Sequence, residues 1–207
     1  MEAAAVSRGE YLQLARRAKL LSWASLVYMA LEGAVAVVAG IVAGSIALIG
    51  FGLDSAIEGF ASVVIVWRFT GSRTLSEAAE RRAQKLVAIQ FFILAPYVAV
   101  EAVRAVVNSS RPDESVVGIA LAASSVVVMP WLGRAKQRIG SRIGSSATAS
   151  EGKQNLLCAY LAGALLVGLL GNALFGAWWL DPAVALFVAY VAVREGREAW
   201  RGDACCR

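Results

Sequence analysis

The amino-acid sequence predicts an all-α membrane protein with six transmembrane helices and with both termini in the cytoplasm. Three observations lead to this fold class. Of the 207 residues, 58% are hydrophobic and 17% are charged, and the mean hydropathy is +0.63, which is more apolar than a soluble domain of this length. The apolar residues form six long runs. The basic residues are concentrated in alternate connections between these runs.

Most of the runs are close to the roughly 20 residues that an α-helix needs to cross the hydrocarbon core of a bilayer. The first follows a basic segment, and a Gly-Ser pair separates it from the second. A long basic segment lies between the second and third runs, a polar one between the third and fourth, and a second basic one before the fifth. The sixth run is short, and an extension through Glu195 would lengthen it. The predicted spans cover residues 20–42, 46–67, 86–107, 116–132, 151–174 and 181–193.

The basic residues predict the topology. They precede span one, separate spans two and three, separate spans four and five, and follow span six. The basic residues of these four segments are, in chain order, Arg8, Arg16, Arg17, Lys19, Arg68, Arg73, Arg81, Arg82, Lys85, Arg134, Lys136, Arg138, Arg142, Arg194, Arg197, Arg201 and Arg207, whereas the other connections contain little more than Arg111, with Arg104 nearby. The positive-inside rule then places both termini in the cytoplasm, in agreement with an even number of spans. We therefore expect a cytoplasmic segment at 1–19, a transmembrane domain at 20–197 and a short cytoplasmic tail at 198–207.

Several other classes are disfavoured. The net charge of +5 is not gathered into a basic patch with interleaved aromatic residues, so we expect no nucleic-acid partner. The first apolar run is too long for the h-region of a signal peptide and carries Glu32 in its middle, so we expect no cleavable signal. Cys158 lies in a span and Cys205 and Cys206 lie in the tail, so no disulfide framework is expected. The tail cysteines are either metal-passing ligands or part of a free tail.

Span two carries two carboxylates at a depth where a charged group is costly. Asp54 and Glu58 are four residues apart, which places them on one helical face about one turn from each other. Ionisable residues at such a depth usually face a bundle interior or a wet cavity and have a function there. Carboxylate oxygens are ligands for divalent ions. The pair therefore predicts half of a cation site.

Span five offers the other half of this site. Glu151, Gln154, Asn155 and Cys158 follow one helical stripe that can face span two. A carboxylate, an amide oxygen and a thiolate would complete a mixed oxygen and sulfur site. Histidine, a common zinc ligand, is absent from the chain. Cys158 is either a ligand or a small buried hydrophobic residue, and the same alternative of ligand or structural residue holds for the two amides.

Two further acidic residues lie within spans. Glu32 in span one is either a ligand or proton carrier, or a hydrogen-bonding partner for a neighbouring helix. Glu101 in span three lies three residues before Arg104, and this spacing favours a structural ion pair. The candidate metal ligands of the chain are Asp54, Glu58, Glu151, Gln154, Cys158 and Glu32.

Three segments resemble motifs of the cation diffusion facilitators, which are six-span, proton-coupled exporters of divalent transition metals. The stretch from Gly44 to Glu58 resembles the family's second-span motif, with Asp54 and Glu58 in its two ligand places. The segment from Glu151 to Cys158 resembles the fifth-span motif, but Gln154 and Cys158 occupy the His and Asp positions. The segment 178–182, Trp-Trp-Leu-Asp-Pro, resembles the usual entry to span six, and Glu101 matches a frequent acidic position.

The resemblance implies a short form of the family, without its cytoplasmic C-terminal domain and without a His-rich loop between spans four and five. It implies a metal site between spans two and five and a homodimer whose contact is made by the spans themselves. The transported substrate would be Zn²⁺ or a related ion such as Mn²⁺, Fe²⁺, Co²⁺ or Cd²⁺. No bound cofactor is implied, and the expected location is the plasma membrane.

Two neighbouring carboxylates in a low-dielectric span disfavour joint ionisation, so we expect at least one to hold a proton when no cation is bound. Metal and protons would then share the same ligands, which gives antiport. A second hypothesis is a non-transporting metal-binding regulator or assembly partner with the same bundle, since the span-five ligands are altered. An intramembrane aspartyl protease is disfavoured, because the spacing around Asp54 is wrong and no second catalytic Asp lies in a span.

Overall fold

The computed structural model describes residues 6–43, 46–108, 116–175 and 180–201. In these ranges the chain forms six α-helices and one short 3₁₀ turn, Gly71–Leu75, between the second and third helices. The helices are α1 (Arg8–Ala43), α2 (Ile46–Arg68), α3 (Glu77–Val107), α4 (Val116–Ile143), α5 (Ser146–Phe175) and α6 (Leu180–Arg201). The all-α prediction is confirmed, and each predicted span lies inside one helix.

The helices are long and apolar on their outer faces. Three segments, Arg8–Val42, Glu77–Val107 and Val116–Ile143, have the length and composition needed to cross a membrane. The other three helices have 23, 30 and 22 residues. Large aliphatic side chains point outward, and Leu31 and Val127 are 64% and 72% exposed. Such continuous apolar exposure is typical of a lipid-facing surface.

Several helices extend beyond the predicted spans because capping groups set their ends. The Ser7 hydroxyl accepts a hydrogen bond from the backbone N–H of Glu10, 3.2 Å away, and this cap begins α1 well before residue 20. Ser76 caps α3 in the same way through the N–H of Ala79. Hydropathy reports where a helix contacts lipid, whereas these polar caps report where the helix begins.

Glycine pairs let two pairs of helices approach closely. A Cβ atom on Gly52 would lie 2.8 Å from the carbonyl oxygen of Gly33, so the backbones of α1 and α2 are in contact. A Cβ on Gly133 would lie 2.7 Å from the carbonyl oxygen of Gly152, which brings α4 against α5. These close contacts join α1 to α2 and α4 to α5.

One polar cluster fixes the ends of α2, α3 and α5. Arg68, which is buried, donates a hydrogen bond of 2.9 Å from its Nε to Glu80. Glu80 also accepts hydrogen bonds from the Ser145 hydroxyl and from the backbone N–H of Ala147, both 3.0 Å long. A carboxylate at the first turn of a helix is favoured by the helix dipole. The cluster therefore sets the position at which α5 begins.

Candidate cation site

Helix α2 presents its two carboxylates on a buried face. Asp54 and Glu58 are 3% and 1% exposed, and Ser62 and Ile65 continue the same stripe in a fully buried state. Leu53, on the opposite side, is 50% exposed. This periodicity shows that the polar stripe, and not the apolar one, faces the bundle interior. The arrangement is the reverse of that in a soluble helix.

Cys158 of α5 joins the two carboxylates. One carboxylate oxygen each of Asp54 and Glu58 and the Cys158 sulfur all lie within 4.8 Å of one another, and the three side chains are buried. Among the described residues, no other group of His, Cys, Asp and Glu side chains meets this criterion. Tetrahedral zinc holds its ligand atoms roughly 3.5 Å apart. Small side-chain shifts would therefore bring all three donors to one ion. We call Asp54, Glu58 and Cys158 the cation group.

The carboxylates of the cation group lack hydrogen-bond donors. All four oxygens of Asp54 and Glu58 are buried, and none accepts a hydrogen bond from the described part of the chain. The amide oxygen and nitrogen of Gln154, one turn before Cys158, are likewise buried without a partner among the described residues. Buried polar groups without partners are costly, and buried charges are more so. The combination points to a positively charged ligand in this part of the bundle.

Glu32 lies outside the cation group and has partners of its own. One of its carboxylate oxygens accepts a hydrogen bond of 3.0 Å from the Ser55 hydroxyl, and the other accepts one of 3.3 Å from the Tyr28 hydroxyl. The Tyr28 oxygen also lies 2.6 Å from that of Ser124. These contacts join α1, α2 and α4, as the hydrogen-bonding interpretation of Glu32 expects.

Glu151 also lies outside the cation group and forms a buried ion pair. The Lys136 ammonium lies 2.7 Å from one Glu151 oxygen, and the Ser22 hydroxyl donates a hydrogen bond of 2.8 Å to the other. Lys136 further donates to the Ser25 hydroxyl and to the Asn155 amide oxygen, at 2.6 and 3.5 Å. We call Lys136, Glu151 and these partners the ion-pair cluster. It joins α1, α4 and α5.

The sequence interpretation of Lys136 as one more basic residue in a connection is wrong. Lys136 lies within α4 and is fully buried, and so is its partner Glu151. One signal in the sequence agrees with its burial. Met129, Leu132 and Lys136 are spaced three and four residues apart, and the structure buries all three on one face of α4. This spacing could have identified Lys136 as a residue of the bundle interior.

The remaining sequence predictions have mixed outcomes. The ion pair of Glu101 with Arg104 is confirmed, with a distance of 2.8 Å. Cys158 is a free, buried thiol. The tail cysteines Cys205 and Cys206 lie outside the described residues. The same is true of Gly44 and Ser45 in the second-span motif and of the two tryptophans that precede α6.

A family comparison identifies the family of the chain. Residues 22–201 match the family model described as the cation efflux transmembrane domain. The match begins inside α1 and ends at the last residue of α6. Proteins of this family are membrane transporters, not enzymes, and divalent metal cations are their substrates. Because the match covers most of the 207 residues, the chain belongs to the cation efflux family.

Proposed function

We propose that this protein transports Zn²⁺ or a related divalent ion (Mn²⁺, Fe²⁺, Co²⁺ or Cd²⁺) through the cation group. The observation that carries the proposal is the pair of buried carboxylates, Asp54 and Glu58, without hydrogen-bond donors among the described residues. Two buried anions require positive charge from elsewhere. One divalent ion supplies both charges at once.

The donor atoms favour a transition metal. The Cys158 thiolate is a soft ligand that suits Zn²⁺ and Cd²⁺ better than Mg²⁺ or Ca²⁺. The amide oxygen of Gln154 is the proposed fourth ligand, because it is buried and has no partner among the described residues. Four ligands would complete the tetrahedral coordination that zinc prefers. Glu32 and Glu151 are not included in the proposed ligand set, since their own contacts already satisfy them.

Proton exchange follows from the same charges. In a low-dielectric interior the two carboxylates are not both ionised without a cation, so a proton occupies the group when the metal is absent. Metal binding displaces that proton and also the thiol proton of Cys158, because a cysteine binds metal as its thiolate. When the group opens alternately to the two sides of the membrane, outward metal movement is coupled to inward proton movement. No separate coupling residue is required.

The proposed setting is the plasma membrane, with all six helices crossing it and both termini in the cytoplasm. The basic residues of alternate connections support this orientation. The proposal divides the chain into a cytoplasmic segment at 1–19, a membrane domain at 20–197 and a tail at 198–207. The active form would be a homodimer held by transmembrane helices, and gel filtration of detergent-solubilised protein would test this.

Flux measurements in liposomes test the proposed function. Purified protein is reconstituted into vesicles that contain a metal-sensitive dye and have an acidic interior, and Zn²⁺ is added outside. We expect uptake driven by the pH gradient. Asp54→Asn and Glu58→Gln keep the side-chain volumes but remove the charges, and they should reduce uptake to the level of protein-free vesicles. Glu77→Gln, an exposed residue at the start of α3, is the matched control and should keep full uptake.

The outcomes separate the two functions that the sequence left open. Uptake unchanged in both Asp54→Asn and Glu58→Gln would exclude the cation group as the transport site. Zn²⁺ binding without uptake by the wild-type protein would instead favour the non-transporting regulator. The sequence gives a reason to test the regulator hypothesis, because Gln154 and Cys158 replace the His and Asp of the related fifth-span motif.

A further inference from the structure

We propose that Lys136 sets the charge of the transport site by acting as the internal counter-ion of Glu151. This inference rests on the proposed function of the cation group. Lys136 is in this view a positioning and specificity-determining residue that has no contact with the metal. It keeps a third carboxylate from the transported ion, so that Asp54 and Glu58 alone supply its carboxylate ligands.

The contacts of Lys136 satisfy its ammonium group. An ammonium has three N–H donors, and three oxygen acceptors surround this one. They belong to Ser25, Glu151 and Asn155, at 2.6, 2.7 and 3.5 Å. The Lys136 and Glu151 side chains are 0% and 1% exposed, so solvent does not share in these bonds. A ring of three oxygen acceptors is an environment that could otherwise hold a free metal ion. The ammonium of Lys136 occupies that place.

Glu151 is equally satisfied. One oxygen binds the ammonium of Lys136, and the other accepts the hydroxyl proton of Ser22. The carboxylates of Asp54 and Glu58 show the opposite condition, because no described residue donates to them. A carboxylate whose two oxygens are both engaged would have to break an ion pair before it could bind a metal. Glu151 is therefore held as a structural anion.

The position of the pair gives it an electrostatic role. Glu151 and Cys158 lie on one side of α5 and are seven residues apart, which corresponds to roughly 10 Å along the helix. Charges at this separation in a buried, low-dielectric region are poorly screened by salt. An unpaired Glu151 would attract the transported cation, and an unpaired Lys136 would repel it. The ion pair adds no net charge beside the transported ion.

This geometry predicts a specific pattern for charge variants. Glu151→Gln leaves the buried ammonium without its counter-ion, and we expect the KM for Zn²⁺ to rise at least tenfold while the maximal rate of folded protein changes less than threefold. The double variant Lys136→Met with Glu151→Gln is uncharged and similar in volume. Replacement of both members of a buried ion pair is tolerated far better than loss of one. We expect its KM to return to within threefold of wild type.

The experiment measures Zn²⁺ uptake against Zn²⁺ concentration in the liposome assay, with the folded fraction of each preparation determined by gel filtration. Lys153→Gln is the matched control, because Lys153 is a partly exposed lysine of α5 that pairs with Glu195 and Glu198. Its KM should not change. A purely structural role for Lys136 would lower the folded fraction and leave the KM of the remaining protein unchanged, which would overturn the proposal.

A ligand role for Glu151 would give a different pattern. The double variant would then be as defective as Glu151→Gln, because the lost carboxylate cannot be replaced by removal of Lys136. This result overturns the proposal but leaves the transport function intact. If Glu151→Gln cannot be purified as folded protein, the double variant decides alone: a KM near that of wild type supports the counter-ion role, and loss of Zn²⁺ uptake excludes it. Failure of the proposed function would instead appear as absent uptake in the wild-type protein.

Discussion

The cation group and the ion-pair cluster are two buried polar sites that both contain carboxylates. Only the ion-pair cluster contains a positively charged residue of its own. Both include a residue of α5, and both contain carboxylates that are almost fully inaccessible. In the ion-pair cluster, Lys136 donates to one oxygen of Glu151 and Ser22 donates to the other. In the cation group, the four oxygens of Asp54 and Glu58 have no donor among the described residues. The difference is a positive charge supplied from within the fold.

This comparison separates the structural residue Glu151 from Asp54 and Glu58, the proposed transport ligands. A buried carboxylate with an internal counter-ion is stable in the resting bundle, and it gains nothing from an external cation. A buried carboxylate pair without one is stabilised only by protons or by a bound ion. Burial alone, which is the same in both sites, therefore does not identify a transport ligand. The hydrogen-bond partners distinguish the proposed ligands from the structural carboxylate.

The largest predicted effect is a difference in stability between the two sites in the absence of metal. Glu151→Gln removes one member of a buried ion pair, so we expect a loss of about 3 to 5 kcal/mol in the free energy of unfolding. Glu58→Gln removes a buried charge without a partner, and we expect no loss or a small gain. Thermal unfolding in detergent micelles with a chelator measures both. Equal destabilisation by the two variants would remove the distinction between the sites.

The second prediction concerns stabilisation by the metal. A ligand that binds only the folded state stabilises it by about 2.7 kcal/mol when its concentration is 100 times its dissociation constant. We expect Zn²⁺ to stabilise the wild-type protein by this amount and to have no effect on Asp54→Asn. The double variant Lys136→Met with Glu151→Gln should keep the full response. A lost response in that double variant would place Glu151 among the ligands.

Sequence reasoning predicted the helices well and the ends of helices poorly. Long apolar runs report contact with lipid, which is why each predicted span lies inside a helix. Helix ends depend on local polar caps such as Ser7. The start of α5 depends on Glu80, a residue distant in the sequence. Hydropathy contains no information about such contacts.

The candidate site was partly predictable for a similar reason. Asp54 and Glu58 stand out because they are acidic residues in an apolar span, and helical register points Cys158 toward them. The burial of Lys136 was missed because a one-dimensional charge pattern treats every basic residue near a span end as a topology signal. Only the packing of α4 against α5 shows that Lys136 meets Glu151. Contacts between side chains of different helices depend on how the helices pack, and a one-dimensional charge pattern does not contain that information.

A third prediction tests the sulfur of the cation group. Cys158→Ser replaces the soft thiolate with a hard hydroxyl of similar size. We expect the preference for Cd²⁺ over Mn²⁺ to fall about tenfold, which corresponds to roughly 1.4 kcal/mol, because thiolates favour soft ions. Competition between the two ions for uptake measures this ratio. Cys158→Ala provides a comparison without any ligand atom, and an unchanged ratio in both variants would show that the thiol is only a packing residue.

The smallest predicted effect concerns Glu32, which the sequence left open as a ligand or as a structural partner. Ser55→Ala removes one hydrogen bond to Glu32 and leaves the one from Tyr28. Hydrogen bonds between membrane helices contribute about 0.6 kcal/mol on average, so we expect a loss of that size in stability. The KM for Zn²⁺ should change less than threefold. Ser62→Ala is the matched control, because its buried hydroxyl has no partner among the described residues. A tenfold change in KM for Ser55→Ala alone would join Glu32 to the cation group, because only a carboxylate that acts on the transported ion would convert the loss of one hydrogen bond into a change of affinity.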